Sequence, residues 1–88
     1  MNTEPRDVRL KRLRIRSWRR GIKEMDLILG GYADAELAGL DDEALDVFEA
    51  ALGENDHDLF GWVTGQGTPP ARYGPLMAEL SRRAALAR

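Results

Sequence analysis

The 88-residue chain contains no cysteine. That excludes disulfides, zinc–thiolate sites and thiol nucleophiles together. Small extracellular domains usually need such staples, so a cytoplasmic or matrix-like compartment is expected. No apolar run approaches the ~20 residues needed to cross a bilayer, and no membrane insertion is expected. The basic N-terminal stretch is not followed by an apolar segment, so it is not a secretory signal. Glu4 and Asp7 argue against an amphipathic transit peptide. Internal repeats, low-complexity segments and alternating β-branched runs are absent, so no strand is expected. Lys and Arg are missing from residues 24–71, which hold twelve acids. A single histidine, His57, rules out multi-histidine metal sets.

What is present is helical in character. Ala, Leu, Glu and Arg dominate, and 43% of residues are hydrophobic, enough for one compact domain. Charge is polarised: residues 1–23 carry nine of the 13 basic residues and only two acids. A basic start and an acidic middle can fold onto each other or offer a partner two faces. The pattern predicts an all-α, five-helix bundle spanning 1–88, with an ordered core over 6–87 and loop-like stretches at 1–5 and 66–74.

The first helix is expected from Arg6 to Arg19, after Pro5, and the second from Ile22 to Ala33. Ile15, Trp18, Ile22, Met25 and Leu29 recur at spacings of 3, 4, 3 and 4 and read as a buried stripe. Gly30 and Gly31 weaken the second helix or let another element come close. Asp41 is the expected N-cap of the third helix, with Asp42 and Glu43 in its first turn, where acids complement the helix dipole. Leu45, Phe48 and Leu52 form its inner face, and Gly53 its stop. The fourth helix runs from about Asp56 to Thr64, capped by Asn55 or Asp56, and buries Leu59, Trp62 and Val63. The last starts near Pro75 and uses Leu76, Met77, Leu80, Ala84 and Leu86.

Gly21 interrupts the apolar stripe, and glycine inside a helix costs about 1 kcal/mol relative to alanine. Charge placement explains the interruption as a boundary. Arg16, Arg19 and Arg20 lie where a first helix ends, and Glu24 and Asp26 where a second begins, each on the favourable side of the dipole. Gly21 then stands just past a helix end, a position where glycine often takes positive φ. Two readings follow. In one, Gly21 is only a helix stop with dipole-matched charges. In the other, Arg20, Gly21 and Glu24 form a surface on which the missing side chain lets a partner's backbone approach.

The stretch "RRGIKEMDL" resembles the Arg-Gly-x-x-Glu signature of the SdhE-type FAD assembly factors of succinate dehydrogenase. "GGYADAEL", "LDDEALDVFEAALG" and "NDHDLFGWVTG" resemble later segments of that family, in the same order and spacing. The resemblance covers about Arg14 to Gly65; the tail from Gln66 carries nothing diagnostic. It implies a five-helix, monomeric, chaperone-like protein. Such a protein binds the flavoprotein subunit of succinate dehydrogenase, or of fumarate reductase, and promotes covalent attachment of FAD without stably binding a cofactor itself. Partner-binding residues implied are Arg20, Gly21 and Glu24, with Arg19 and Asp26 beside them; Asp56 and Asp58 are secondary candidates. At Gly31 the family often carries a larger residue. The compartment implied is the bacterial cytoplasm, or the mitochondrial matrix if the source is eukaryotic.

Other readings stand beside this one. Asp56, His57 and Asp58 are adjacent and diverge around a helix, so no metal site is expected, and the two aspartates read as capping and dipole residues. "GQG" and "GGY" lack the strand–loop–helix context of a phosphate cradle, and no catalytic triad or pocket is evident, so no enzyme is expected. Arg9, Lys11, Arg12, Arg14, Arg16, Arg19, Arg20 and Lys23 could track nucleic-acid phosphates. The acidic middle would repel a polyanion, which disfavours a nucleic-acid partner. An antitoxin-type binding module is a further alternative. Tyr32 and Trp18, expected to be exposed, are the residues on which a dimer would be built.

Overall fold

In a computed structural model, residues 4–86 are described, the side chain of Leu86 excepted. Residues 1–3 of the stretch expected to be loop-like, and residue 87 at the end of the expected core, lie outside the described residues. So does the side chain of Leu86, which was expected on the inner face.

Five α-helices follow one another with short links and no strand among the described residues. They are α1 (Arg6–Trp18), α2 (Lys23–Glu36), α3 (Asp42–Leu52), α4 (Asp56–Val63) and α5 (Gly74–Leu86). Pro5 precedes α1 with φ −58°, a value its ring already fixes, and its carbonyl accepts from Arg9 N–H at 3.0 Å. Asp41 caps α3 by accepting from Ala44 N–H at 2.8 Å. Asn55, rather than Asp56, caps α4, accepting from His57 N–H at 2.8 Å. α2 runs three residues past Ala33 and tightens into a 3-10 turn, Leu37–Gly39, before the chain turns into α3. A second 3-10 turn, Ala71–Tyr73, lies within the stretch 66–74 and carries the fully buried Tyr73.

The core is assembled from one face of each helix. Leu13 of α1, Met25 and Leu29 of α2, Leu45 and Phe48 of α3, Leu59 of α4 and Leu80 of α5 are fully buried, with Tyr73. Tyr32 stacks against Phe48 at 5.5 Å between ring centroids. The expected inner faces of α3 and α5 are therefore observed where described. Trp62 is half-buried against the core rather than within it.

α1 corrects the sequence expectation. The core takes Leu10, Leu13 and Ser17, at spacings of 3 and 4, instead of the stripe through Ile15 and Trp18. Ser17 is buried because its Oγ–H donates to Leu13 O at 2.8 Å, which satisfies the hydroxyl inside the helix. Val8, Ile15 and Trp18 are left 49%, 46% and 39% exposed on the outer side. The stripe is continuous only while one helix runs through Gly21; the break rotates α1 relative to α2, so only Ile22, Met25 and Leu29 keep facing inward. Tyr32, expected to be exposed, is buried.

Two glycines have conformational or packing reasons. A Cβ on Gly30 would stand 2.2 Å from the Trp18 ring, so Gly30 is where the end of α1 lies against α2. Gly65 closes α4 with φ +82°, the one positive φ among the described residues. Gly21 is therefore not left-handed, contrary to expectation. Gly53 ends α3 with φ −82°, in the right-handed region.

Candidate partner-binding surface

The link between α1 and α2 is four residues, Arg19–Ile22. Arg19 caps α1, its N–H reaching Arg16 O at 3.3 Å, and its side chain has no ion-pair partner among the described residues. Ile22 begins α2 in extended backbone (φ −121°, ψ 124°) and contributes no capping side chain. Asp26 braces the link instead: its Oδ1 accepts from Arg20 N–H at 2.5 Å, tying the link to the start of α2. The acids of that turn, Glu24 and Asp26, sit at the positive end of the helix dipole.

Arg20 turns inward from this link and is largely buried. Its Nε–H donates to Asp56 Oδ1 at 2.7 Å, and one terminal nitrogen closes the ion pair at 2.6 Å. The guanidinium also donates to Leu52 O at 2.7 Å and Glu54 O at 3.2 Å. Those carbonyls belong to the end of α3 and the α3–α4 turn, where the last helical carbonyls lack intrahelical donors. One planar fork therefore caps α3, orders the following turn and neutralises the first residue of α4.

Gly21 continues the same arrangement. Its N–H donates to Asp56 Oδ2 at 2.9 Å, so both oxygens of Asp56 are used by consecutive residues of the link. Burial pushes the Asp56 carboxyl up. The Gly21 N–H and the Arg20 guanidinium outweigh it and leave the group below its ordinary range. Gly21 itself is exposed. A Cβ there would meet only Asp56 Oδ2 at 3.5 Å, an ordinary contact. Nothing in the chain's own fold therefore requires glycine at this position.

The structure thus brings Arg20, Gly21, Asp26 and Asp56 together in one hydrogen-bonded cluster. Arg19 and Glu24 flank it, both exposed. Asp58 stands apart: it is exposed, its N–H donates to Asn55 Oδ1 at 3.4 Å, and its carboxylate has no hydrogen-bond or ion-pair partner among the described residues. The pairing of Arg20 with Asp56 spans 36 residues. Sequence reading placed both in the site without coupling them, since no local pattern links positions so far apart.

The remaining basic residues of α1 mostly face acids. Arg6 pairs with Asp42 at 3.1 Å, and Arg9 with Asp46 at 2.8 Å and Glu49 at 3.0 Å. Arg12 meets Glu4 at 2.9 Å and Glu49 at 3.1 Å, and Arg14 meets Asp34 at 3.4 Å. The charge polarity of the sequence is thereby folded onto itself, which removes much of the basic track a nucleic acid would need. Among the described residues no group of three or more His, Cys, Asp or Glu is placed to hold a metal ion, and His57 is exposed. No helix among them is long and apolar enough to cross a membrane. A groove of about 380 Å³ lined by Tyr32, Asp41, Val47, Arg72 and Leu76 lies between α3 and α5, away from Gly21.

The chain is similar in sequence to known proteins. A profile described as flavinator of succinate dehydrogenase matches residues 11–84. The match takes in most of α5, so the tail that looked undiagnostic also belongs to the shared region. The mitochondrial succinate dehydrogenase assembly factor 2 of Mycosarcoma maydis is 39% identical over 72 residues, covering 82% of this chain and 30% of its own length. That of Cryptococcus neoformans is 39% identical over 75 residues, covering 83% of this chain and 43% of its own length. That of Candida glabrata is 43% identical over 58 residues, covering 66% and 38%. The chain therefore spans less than half the length of these three relatives.

Proposed function

This chain belongs to the family of succinate dehydrogenase flavinators, and from that membership we propose that it is an assembly factor for a flavoprotein subunit. It binds the flavin-bearing subunit of succinate dehydrogenase, or of fumarate reductase, and promotes covalent attachment of FAD to that subunit. It acts as a monomer and holds no FAD stably itself. It is not the catalyst of the bond: the flavoprotein's own groups carry out the attachment, and this chain holds them in the reactive arrangement. Fixing reacting groups in place is by itself a large rate effect, with effective molarities of about 10⁵ M or more for well-oriented pairs. The compartment is that of the client, the bacterial cytoplasm or the mitochondrial matrix.

The observation that carries this reading is Gly21. It is exposed, its φ is not positive, and a Cβ would meet only an ordinary contact at 3.5 Å. The residue is therefore smaller than its own fold needs, which fits a partner's backbone lying against it. Arg20 and Asp56 supply the platform: they are spent on internal hydrogen bonds and act as positioning residues. Arg19, Glu24 and the bare Gly21 edge are the groups left to touch the flavoprotein. Asp26 acts through the link it holds, and Asp58 stays outside the contact. The nucleic-acid and antitoxin readings gain no support from the relatives.

The test is reconstitution from purified parts. Flavin-free flavoprotein subunit is incubated with FAD, with or without this chain, and covalent flavin is followed by in-gel fluorescence. Faster attachment with the wild-type chain, lost with Gly21→Arg, is expected. Equal attachment rates with and without the chain would overturn the proposal.

A further inference from the structure

The turn between α3 and α4 is held from two sides. On one side Arg20 donates to Leu52 O at 2.7 Å and to Glu54 O at 3.2 Å. On the other, Glu54 Oε2 accepts from the Tyr73 hydroxyl at 2.8 Å. Glu54 is therefore gripped at its carbonyl by the Gly21 link and at its carboxylate by the 3-10 turn Ala71–Tyr73. An unbroken run of hydrogen bonds results. It passes from Tyr73 to Glu54, from Glu54 to Arg20, from Arg20 to Asp56, and from Asp56 to the Gly21 N–H at 2.9 Å.

The far end of this run is anchored in the core. Tyr73 is fully buried, its ring centroid lies 6.0 Å from that of Trp62, and its N–H donates to Pro70 O at 3.0 Å. Arg72 donates to the Tyr73 oxygen at 2.8 Å, and its guanidinium covers the ring at 4.7 Å from the centroid. The hydroxyl thus accepts from Arg72 and donates to Glu54. Burial first, and the Glu54 carboxylate next, push the ionisation of Tyr73 up, so the phenol keeps the proton it donates. The near end, at Gly21, is exposed. Between them, the backbone of the turn is tied only to α3: Gly53 N–H donates to Ala50 O at 3.1 Å and Glu54 N–H to Ala51 O at 3.0 Å. Tyr73 adds a fixed point on the opposite side.

We propose that Glu54 and Tyr73 are positioning residues for the flavoprotein-binding surface. They fix the turn whose carbonyls hold Arg20, and through Arg20 and Asp56 they fix the backbone edge at Gly21. The inference rests on the proposed function and extends it to the C-terminal segment, where the sequence carries nothing diagnostic. Two arguments support it. The first concerns the hydroxyl. Phenylalanine would fill the same buried space with no polar group to satisfy, whereas tyrosine needs a partner there. The partner it has is the residue whose carbonyl Arg20 holds. The second is continuity. Bonds in an unbroken network strengthen one another, so releasing one end loosens the next member.

The test uses the full chain and the flavin-free flavoprotein subunit. Tyr73→Phe removes only the hydroxyl, Glu54→Ala removes the acceptor, and Glu54→Gln keeps an acceptor oxygen without the charge. Affinity is measured for each. Amide hydrogen exchange is followed at Gly21 and, as a reference, at Ala44, whose N–H Asp41 caps at the other end of α3. Tyr73→Phe and Glu54→Ala are expected to weaken binding by about fivefold, the effect of one ordinary hydrogen bond. Both should speed exchange at Gly21 and leave Ala44 unchanged, because the loosening is local. Glu54→Gln is expected to restore affinity and exchange together. If Tyr73→Phe and Glu54→Ala bind as wild type, the inference is overturned and the functional reading stands. The same holds if Gly21 and Ala44 speed up together, which marks a general support of the fold, or if Glu54→Gln fails as Glu54→Ala does. If the wild-type chain does not bind the flavoprotein at all, the functional reading fails and this inference with it.

Discussion

Replacing Arg20 by alanine separates its two possible contributions, to the fold and to the contact. The side chain holds Asp56, Leu52 O and Glu54 O, and its exposure is 11% against 21% for Asp56. Hydrogen bonds to a charged group contribute about 1.5–3 kcal/mol each, and breaking a buried pair costs about 3–5 kcal/mol. Two features lower the figure here. Asp56 keeps the Gly21 N–H as a partner, and the pair retains some solvent. Bonds that share one side chain also do not add in full. Arg20→Ala is therefore expected to destabilise the chain by about 2–4 kcal/mol, a large part of the ~5–15 kcal/mol typical of small domains. At about 4–8 °C per kcal/mol, the melting temperature falls by roughly 8–32 °C. Thermal and urea unfolding measure this directly, and a double-mutant cycle with Asp56→Ala should return a coupling of about 0.5–3 kcal/mol. A loss under about 0.5 kcal/mol, the level of an unremarkable surface change, would refute the argument that Arg20 is an internal staple.

Because the Asp56 pKa is lowered on folding, its contribution is fully present above the ordinary aspartate range and is lost as pH falls below about 4. Asp56→Asn should flatten that acid limb of the stability profile, read by urea unfolding from pH 7 downward. Gly30→Ala puts a Cβ 2.2 Å from the Trp18 ring, so the ring must move. Overpacking of about 1–3 kcal/mol, partly offset by the roughly 1 kcal/mol gained from alanine in a helix, predicts a lower melting temperature and altered tryptophan fluorescence. Gly21→Ala, with only a 3.5 Å contact to accommodate, should change the unfolding free energy measured in urea by no more than about 0.5 kcal/mol.

Most helix positions were legible because they depend on local chemistry. Asp41 and Asn55 cap the helices they precede, and the Leu45–Phe48–Leu52 spacing faces the core as read. The orientation of α1 was not legible in the same way. A 3–4 spacing running across Gly21 is a valid stripe only for an unbroken helix, and the charges that predicted the break also implied that the two halves need not share a face. Ser17 was missed because a serine looks polar in sequence, while its hydroxyl is satisfied by Leu13 O within α1. The signature residues were found by resemblance, but their division of labour needed coordinates. Only the pairing of Arg20 with a carboxylate and two carbonyls 32–36 residues away separates the staple from the exposed edge.

The measurement that tests the central claim most directly is covalent flavin fluorescence of the flavoprotein subunit in a denaturing gel. Cells would carry the wild-type chain, Glu24→Ala, Gly21→Arg, or no chain, with both variants first shown to be folded by circular dichroism. The account predicts a bright band with the wild-type chain and a lost or greatly weakened one in the other three. An equally bright band in all four would contradict it.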